Sequence, residues 1–134
     1  MPVIFNINKE SGFIDVHASG ALTTAEVLQM HEQLLKNPDY DAELPVLTDL
    51  TEVHTLDISV EGVVKIFSYA ETHQPRGKRA KNAIVVTDQG QVLFAKMAAA
   101  LAERSKKLPE IRVIEPRLEA LEWLGVSNPG AISA

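Results

Sequence analysis

Cysteine is absent from the 134 residues. Disulfide staples, thiolate metal centres and a cysteine nucleophile are excluded, and the chain fits a reducing compartment. The opening residues, MPVIFNIN, have neither a basic start nor a long apolar core, so no signal peptide is expected. No apolar run approaches the roughly 20 residues that cross a bilayer. Cytoplasmic residence is the expectation. Positive charge is also short. The net charge is −5, whereas general nucleic-acid binding needs a basic footprint.

Catalytic signatures are equally scarce. There is no Gly-x-Ser-x-Gly elbow, Gly-x-Gly-x-x-Gly turn or Walker loop, and Arg76-Gly77-Lys78 lacks the glycine spacing of a phosphate cradle. His17, His31, His54 and His73 show no His-x-x-x-His or other ligand spacing. No metal site and no cofactor are expected. No nucleophile, base and oxyanion donor assemble into a set, so an enzyme ranks behind a binding role.

What is present is an ordinary globular balance, 46% apolar and 23% charged, in a chain long enough to bury one core. No repeat, low-complexity tract or linker divides it. A single domain over residues 1–125 is expected, with a small, polar, loose tail at 126–134.

The chain is organised around LPVLTDLTEVHTLDISVEG, residues 44–62. Val46 and Leu47 lie in an apolar run without polar alternation, which reads as a strand covered on both faces. That run is expected to end at Thr48 and Asp49 and to pass through a short loop to Asp57. Val60, Val63, Val64 and Phe67 then fall at helical spacing over about 59–74, with Asp57 or Ser59 accepting the first free amides.

Upstream, Val3, Phe5 and Ile7 alternate with polar neighbours. After Lys9-Glu10-Ser11-Gly12, so do Ile14, Val16 and Ala18, the pattern of a hairpin. Thr23 and Glu26 form a capping box for a first helix with Val27, Leu28, Leu34 and Leu35 on its buried side. Downstream, Ala83–Val86 is a buried strand and Val92–Glu103 a helix with Phe94, Met97, Ala98 and Leu101 on one stripe. Ile111–Ile114 is a last strand. Pro116 opens a closing helix that ends at Gly125. The order β-β-α-β-α-β-α-β-α predicts a mostly parallel sheet of four to five strands, an N-terminal antiparallel hairpin and about four helices.

In such sheets ligands bind beyond the carboxyl ends of the strands. Thr48, Asp49, Asp57 and Ser59, with Asp88 and Gly90, are therefore expected on one rim as the surface for a protein partner or small ligand. His54, beside Asp57, is the better acid–base candidate among the histidines. Asp49, Asp88 and Glu115 each follow a predicted strand and could share a divalent cation, but capping and turn roles account for such acids more simply. Arg76, Lys78, Arg79 and Lys81 form a basic run that could meet a phosphate, an anionic lipid surface or an acidic partner, or merely solvate a loop. The alanines of the third helix either leave a slot for an apolar ligand or let the helix pack close to the sheet, the latter being the usual outcome. A hairpin edge with Phe13 on its outer face offers a route to homo-oligomers.

With VLTDL at 46–50, AIVVTDQGQVLFAKMAAALAE at 83–103 and LEALEWL at 118–124, this order resembles the STAS superfamily, the fold of anti-sigma-factor antagonists and sulfate-transporter tails. It is most similar to the SpoIIAA-like branch. The resemblance implies a non-enzymatic regulatory or binding module, and lipid-binding relatives of the fold allow an apolar ligand. In the antagonists a phosphorylated serine starts the helix after the central strand, within Asp-Ser-Ser-Gly. Here that place reads Asp57-Ile58-Ser59-Val60, so the resemblance implies Ser59 as the phospho-acceptor, with Ile58 and Val60 departing from the motif.

Overall fold

A computed structural model describes residues 3–73, 77 and 80–126. The nine elements follow the expected order: β1 (Val3–Asn8), β2 (Phe13–Thr23), α1 (Thr24–Lys36), β3 (Val46–Asp57), α2 (Val60–His73), β4 (Lys81–Val85), α3 (Gln89–Glu103), β5 (Glu110–Ile114) and α4 (Arg117–Leu124). The strands lie side by side in chain order in one five-stranded sheet. β1 and β2 are antiparallel, and every other pair is parallel. Each parallel step is bridged by one helix, as parallel strands require.

Local chemistry explains the joints. The Thr23–Glu26 capping box forms, with Glu26 N–H donating to Thr23 Oγ1 and Thr23 N–H to Glu26 Oε1. Gly125 ends α4 in the left-handed conformation, φ 76°, which a residue without Cβ adopts freely.

The central strand departs from expectation. No loop follows Asp49. β3 continues to Asp57, and beyond Asp49 it pairs, among the described residues, with β2 alone, making a two-stranded arm that ends at the pair Thr23–Asp57. The arm carries two register shifts, one beside Gly20 (φ 68°). Such bulges break the period-two pattern. Leu50, Val53 and Leu56, the apolar positions that face the main core, are consequently three apart rather than two.

Helices cover both sheet faces unequally. α1, α2 and α3 lie over one face, above a core that includes Ile14, Val16, Val46, Leu50 and Ile84. Among the described residues α4 alone lies over the other, where Leu121 and Leu124 bury Phe13, Leu47, Ala83 and Val85. Phe13 is thus buried under α4 rather than outward on an edge, because the odd positions of β2 face that helix. Val126 packs into the same cluster.

Two helical stripes also differ from the periodicity reading. On α2, Gly62, Val63 and Ile66 are buried while Val60 and Val64 are exposed. On α3 the buried positions are Gln91, Ala95, Ala98 and Ala102, which set the helix close to β5. Hydrophobicity alone does not choose between two apolar stripes on one helix; side-chain size does, since alanines permit the closest approach. Gly62 serves a similar purpose, for a Cβ there would overlap Thr24 Oγ1 at the start of α1.

Candidate functional site

The expected site residues divide into three groups. His54, Asp88 and Gly90 come together, lining an open crevice of about 460 Å³ between the β3 arm and the amino end of α3, with Gln91, Leu93 and Met97. Asp57 and Ser59 stand at the tip of the arm. The two oxygens expected to be available there are already engaged. Asp88 Oδ1 accepts from Gln91 N–H at 2.8 Å, and Ser59 Oγ accepts from Gly62 N–H at 3.1 Å. Both side chains are helix caps.

Thr48 and Asp49 lie elsewhere. They sit in mid-sheet at the level of Ile84 and Val85, on opposite faces. Eight residues of extended chain separate Asp49 from Asp57, roughly 20–25 Å along the strand. Asp49, although 8% exposed, is fully partnered on the α4 face. Its Oδ1 accepts from Thr51 N–H (2.9 Å) and Thr51 Oγ1 (2.6 Å). Its Oδ2 lies 3.5 Å from Arg117 Nη1 and 3.9 Å from His17 Nδ1. Arg117 also reaches Asp15 at 2.6 Å, so the first residue of α4 ties the helix to two strands. Among the described residues no three acidic or imidazole side chains form a group able to hold a metal ion. Arg76, Lys78 and Arg79, the expected anion contacts, lie outside the described residues; Lys81 is described, and its Nζ donates to Trp123 O at 3.2 Å.

Two features were not foreseen. Gln91 is 2% exposed and fastens the crevice. Its Oε1 accepts from Thr87 N–H at 2.8 Å and its Nε2 donates to Val53 O at 3.0 Å, joining the turn after β4 to the β3 arm. A glutamine in line with Ala95, Ala98 and Ala102 was the signal, since a polar residue on a buried stripe must have partners.

The second is a partly open cavity of about 150 Å³ at the main core. α2 packs chiefly on α1 and α3, and its inner side chains face this space above the strands. Val63, Ile66, Phe67 and Ala70 of α2 form its roof, and Leu50 and Ile84 are part of its floor. Its lining is overwhelmingly apolar, with Thr48, Asn82 and His31 among the few polar members. Thr48 Oγ1 donates to Asn82 Oδ1 at 2.9 Å, which satisfies the hydroxyl proton while Asn82 Oδ1 keeps one acceptor site and Thr48 Oγ1 keeps both of its own. The close packing expected of the α3 alanines is found, although Phe94 and Ala98 of α3 also line this space. The room lies beneath α2, bordered by α1 and α3.

None of the described helices is long and apolar enough to cross a membrane. A sequence profile of the family described as SpoIIAA-like matches residues 13–125. Among solved structures, the chain is similar to an uncharacterised protein of the DUF3478 family with a SpoIIAA-like fold from Shewanella loihica PV-4. The TM-score is 0.59, with 22% identity and 91% of each chain covered. Likeness at that identity speaks for the fold. No curated protein sequence matches the chain.

Proposed function

The chain belongs to the SpoIIAA-like family, whose fold typically serves regulatory and binding modules, and from that premise we propose a non-enzymatic, cytoplasmic binding module whose ligand is a small apolar molecule with one polar end. The ligand enters the cavity beneath α2, its tail against Leu50, Ile66, Phe67 and Ile84 and its polar end at Thr48 and Asn82.

The observation that carries this reading is the cavity itself. Protein interiors are close-packed, and a void able to hold several water molecules is uncommon. An apolar cavity of about this size stays dry and takes up molecules such as benzene. The roof is one helix, α2, which packs chiefly on α1 and α3.

Ligand binding to the folded state raises Tm through mass action. In a series of n-alkanols from butanol to octanol, the wild type should show a rise in Tm that grows with chain length until the cavity is full. An Ala70→Leu variant, with the roof filled, should show none. Equal responses in the two proteins, or no response in either, would sink the reading. Native mass spectrometry of untreated protein then identifies any resident molecule.

A second reading concerns the crevice. Leu93 is 70% exposed beside Asp88 and His54, an unusual place for a large apolar side chain, and it favours a protein partner at this rim. Ser59, at the exposed start of α2, is where a phosphate would adjust such a contact. Retention of the same partner by Leu93→Asp, His54→Ala and Ser59→Asp variants alike would dispose of it.

A further inference from the structure

The two edges of the sheet differ in chemistry. β5 carries Glu110 and Arg112, and the Arg112 guanidinium lies 4.7 Å over the Trp123 ring. β1, VIFNIN, has no charged residue and no proline, and its register with β2 is unbroken. Charge, proline and bulges are the usual means by which an edge strand is kept from pairing with another chain. β1 has none of them.

Backbone accounting identifies what this edge offers. Ile14 N–H donates to Pro45 O at 2.9 Å, on the β3 side of β2. Backbone groups of a paired strand point alternately to its two sides. Phe13, Asp15 and His17 therefore turn their backbone groups toward β1, where they meet Asn8, Asn6 and Ile4. The N–H and C=O groups of Val3, Phe5 and Ile7 are left pointing away from the sheet.

We infer that this edge pairs with the same edge of a second copy of the chain, antiparallel, about a two-fold axis at Phe5. Val3, Phe5 and Ile7 are evenly spaced, so the axis sets Phe5 against its own counterpart and Val3 against Ile7 of the second copy, twice over. Every outward donor and acceptor of the three residues finds a complement. A slip of two residues in either direction leaves Val3 or Ile7 without a mate in the strand. No like charges meet, because β1 carries none. Ile4, 57% exposed on the other face, lies across from Asn6 of the second copy and is shielded at its inner side. Two five-stranded sheets become one continuous sheet through an isologous contact. The inference rests on strand geometry and is independent of the cavity.

Sedimentation velocity between about 1 and about 100 µM should show a monomer–dimer equilibrium, since association follows protomer concentration. Two variants probe the edge. Ile4→Lys places a charge on an exposed position of the strand, and Phe5→Pro removes an outward N–H that the β1–β2 ladder does not use. Each should weaken the dimer by about tenfold or more, because the two-fold applies every substitution twice. Amide exchange supplies a readout that does not depend on variants. Val3, Phe5 and Ile7 should become protected as concentration rises, while Ile4, Asn6 and Asn8 are protected throughout. A monomer at the highest concentration would overturn the inference. So would a dimer in which the three outward amides exchange freely, or one indifferent to Ile4→Lys.

Discussion

Filling the cavity should stabilise the protein while abolishing ligand uptake. About 150 Å³ at about 24 cal/mol per Å³ sets an upper bound of about 3.6 kcal/mol on what filling this partly open space returns. Ala70 lies in the roof on α2. Leucine there adds three carbons, worth about 2.4 kcal/mol at about 0.8 kcal/mol each if fully buried. Ordering the longer side chain removes about 0.5–1 kcal/mol of that. Leucine suits a helix interior, so no backbone penalty opposes the change. The expected net gain is about 1–2 kcal/mol, or a rise in Tm of roughly 4–8 °C for a domain of this size. Urea unfolding checks it directly, as an increase in midpoint at unchanged slope. A loss of more than about 1 kcal/mol, of the kind overpacking produces, would mean that the space is not available and that α2 is already seated. The reasoning from cavity to ligand would then fail with it.

Other substitutions test the parts that hold the site. Gln91→Ala leaves Thr87 N–H and Val53 C=O without partners and should cost about 2–4 kcal/mol in a denaturant titration. A cost below about 1 kcal/mol would show that water replaces the side chain. Gly62→Ala should destabilise, although helix propensity alone predicts a gain of up to about 1 kcal/mol, and Thr24→Ala in the same chain should restore stability by removing the overlapped oxygen. Thr23→Ala, which breaks the capping box of α1, should cost about 1 kcal/mol by the same assay. Arg117→Met should cost about 1–2 kcal/mol, with the deficit reduced in high salt, since Arg117 is half exposed while Asp49 is buried. A salt-independent deficit would assign the loss to packing.

Most of the architecture was legible because it follows from short-range chemistry. Alternation in β1 and β2, the Thr23–Glu26 box and the αL glycine at the end of α4 each act within a few residues. The resemblance carried on VLTDL, the 83–103 segment and LEALEWL pointed to the family that the 13–125 match establishes. Legibility ended where a pattern depended on another element. β3 was read as stopping at Asp49 because bulges against β2 erase the period that marks a strand. Val60 and Val64 were placed at one helical spacing with Val63 and Phe67, yet both are exposed, because α2 has more apolar surface than its neighbours cover.

The site shows the same division. Ser59 and Asp88 were recognisable as helix starts, and their capping bonds are local. Asp49 joined the rim in the sequence reading because it follows an apolar run; in the sheet it belongs to a partly buried pairing with Arg117, 68 positions away. The cavity left no mark in the sequence. The order of elements, their caps and the family are properties of residues near one another along the chain, and the chain alone determined them. Where α2 comes to rest, which of its faces stays bare and whether a void remains beneath it depend on how three helices share one sheet face, and only the assembled structure decided that.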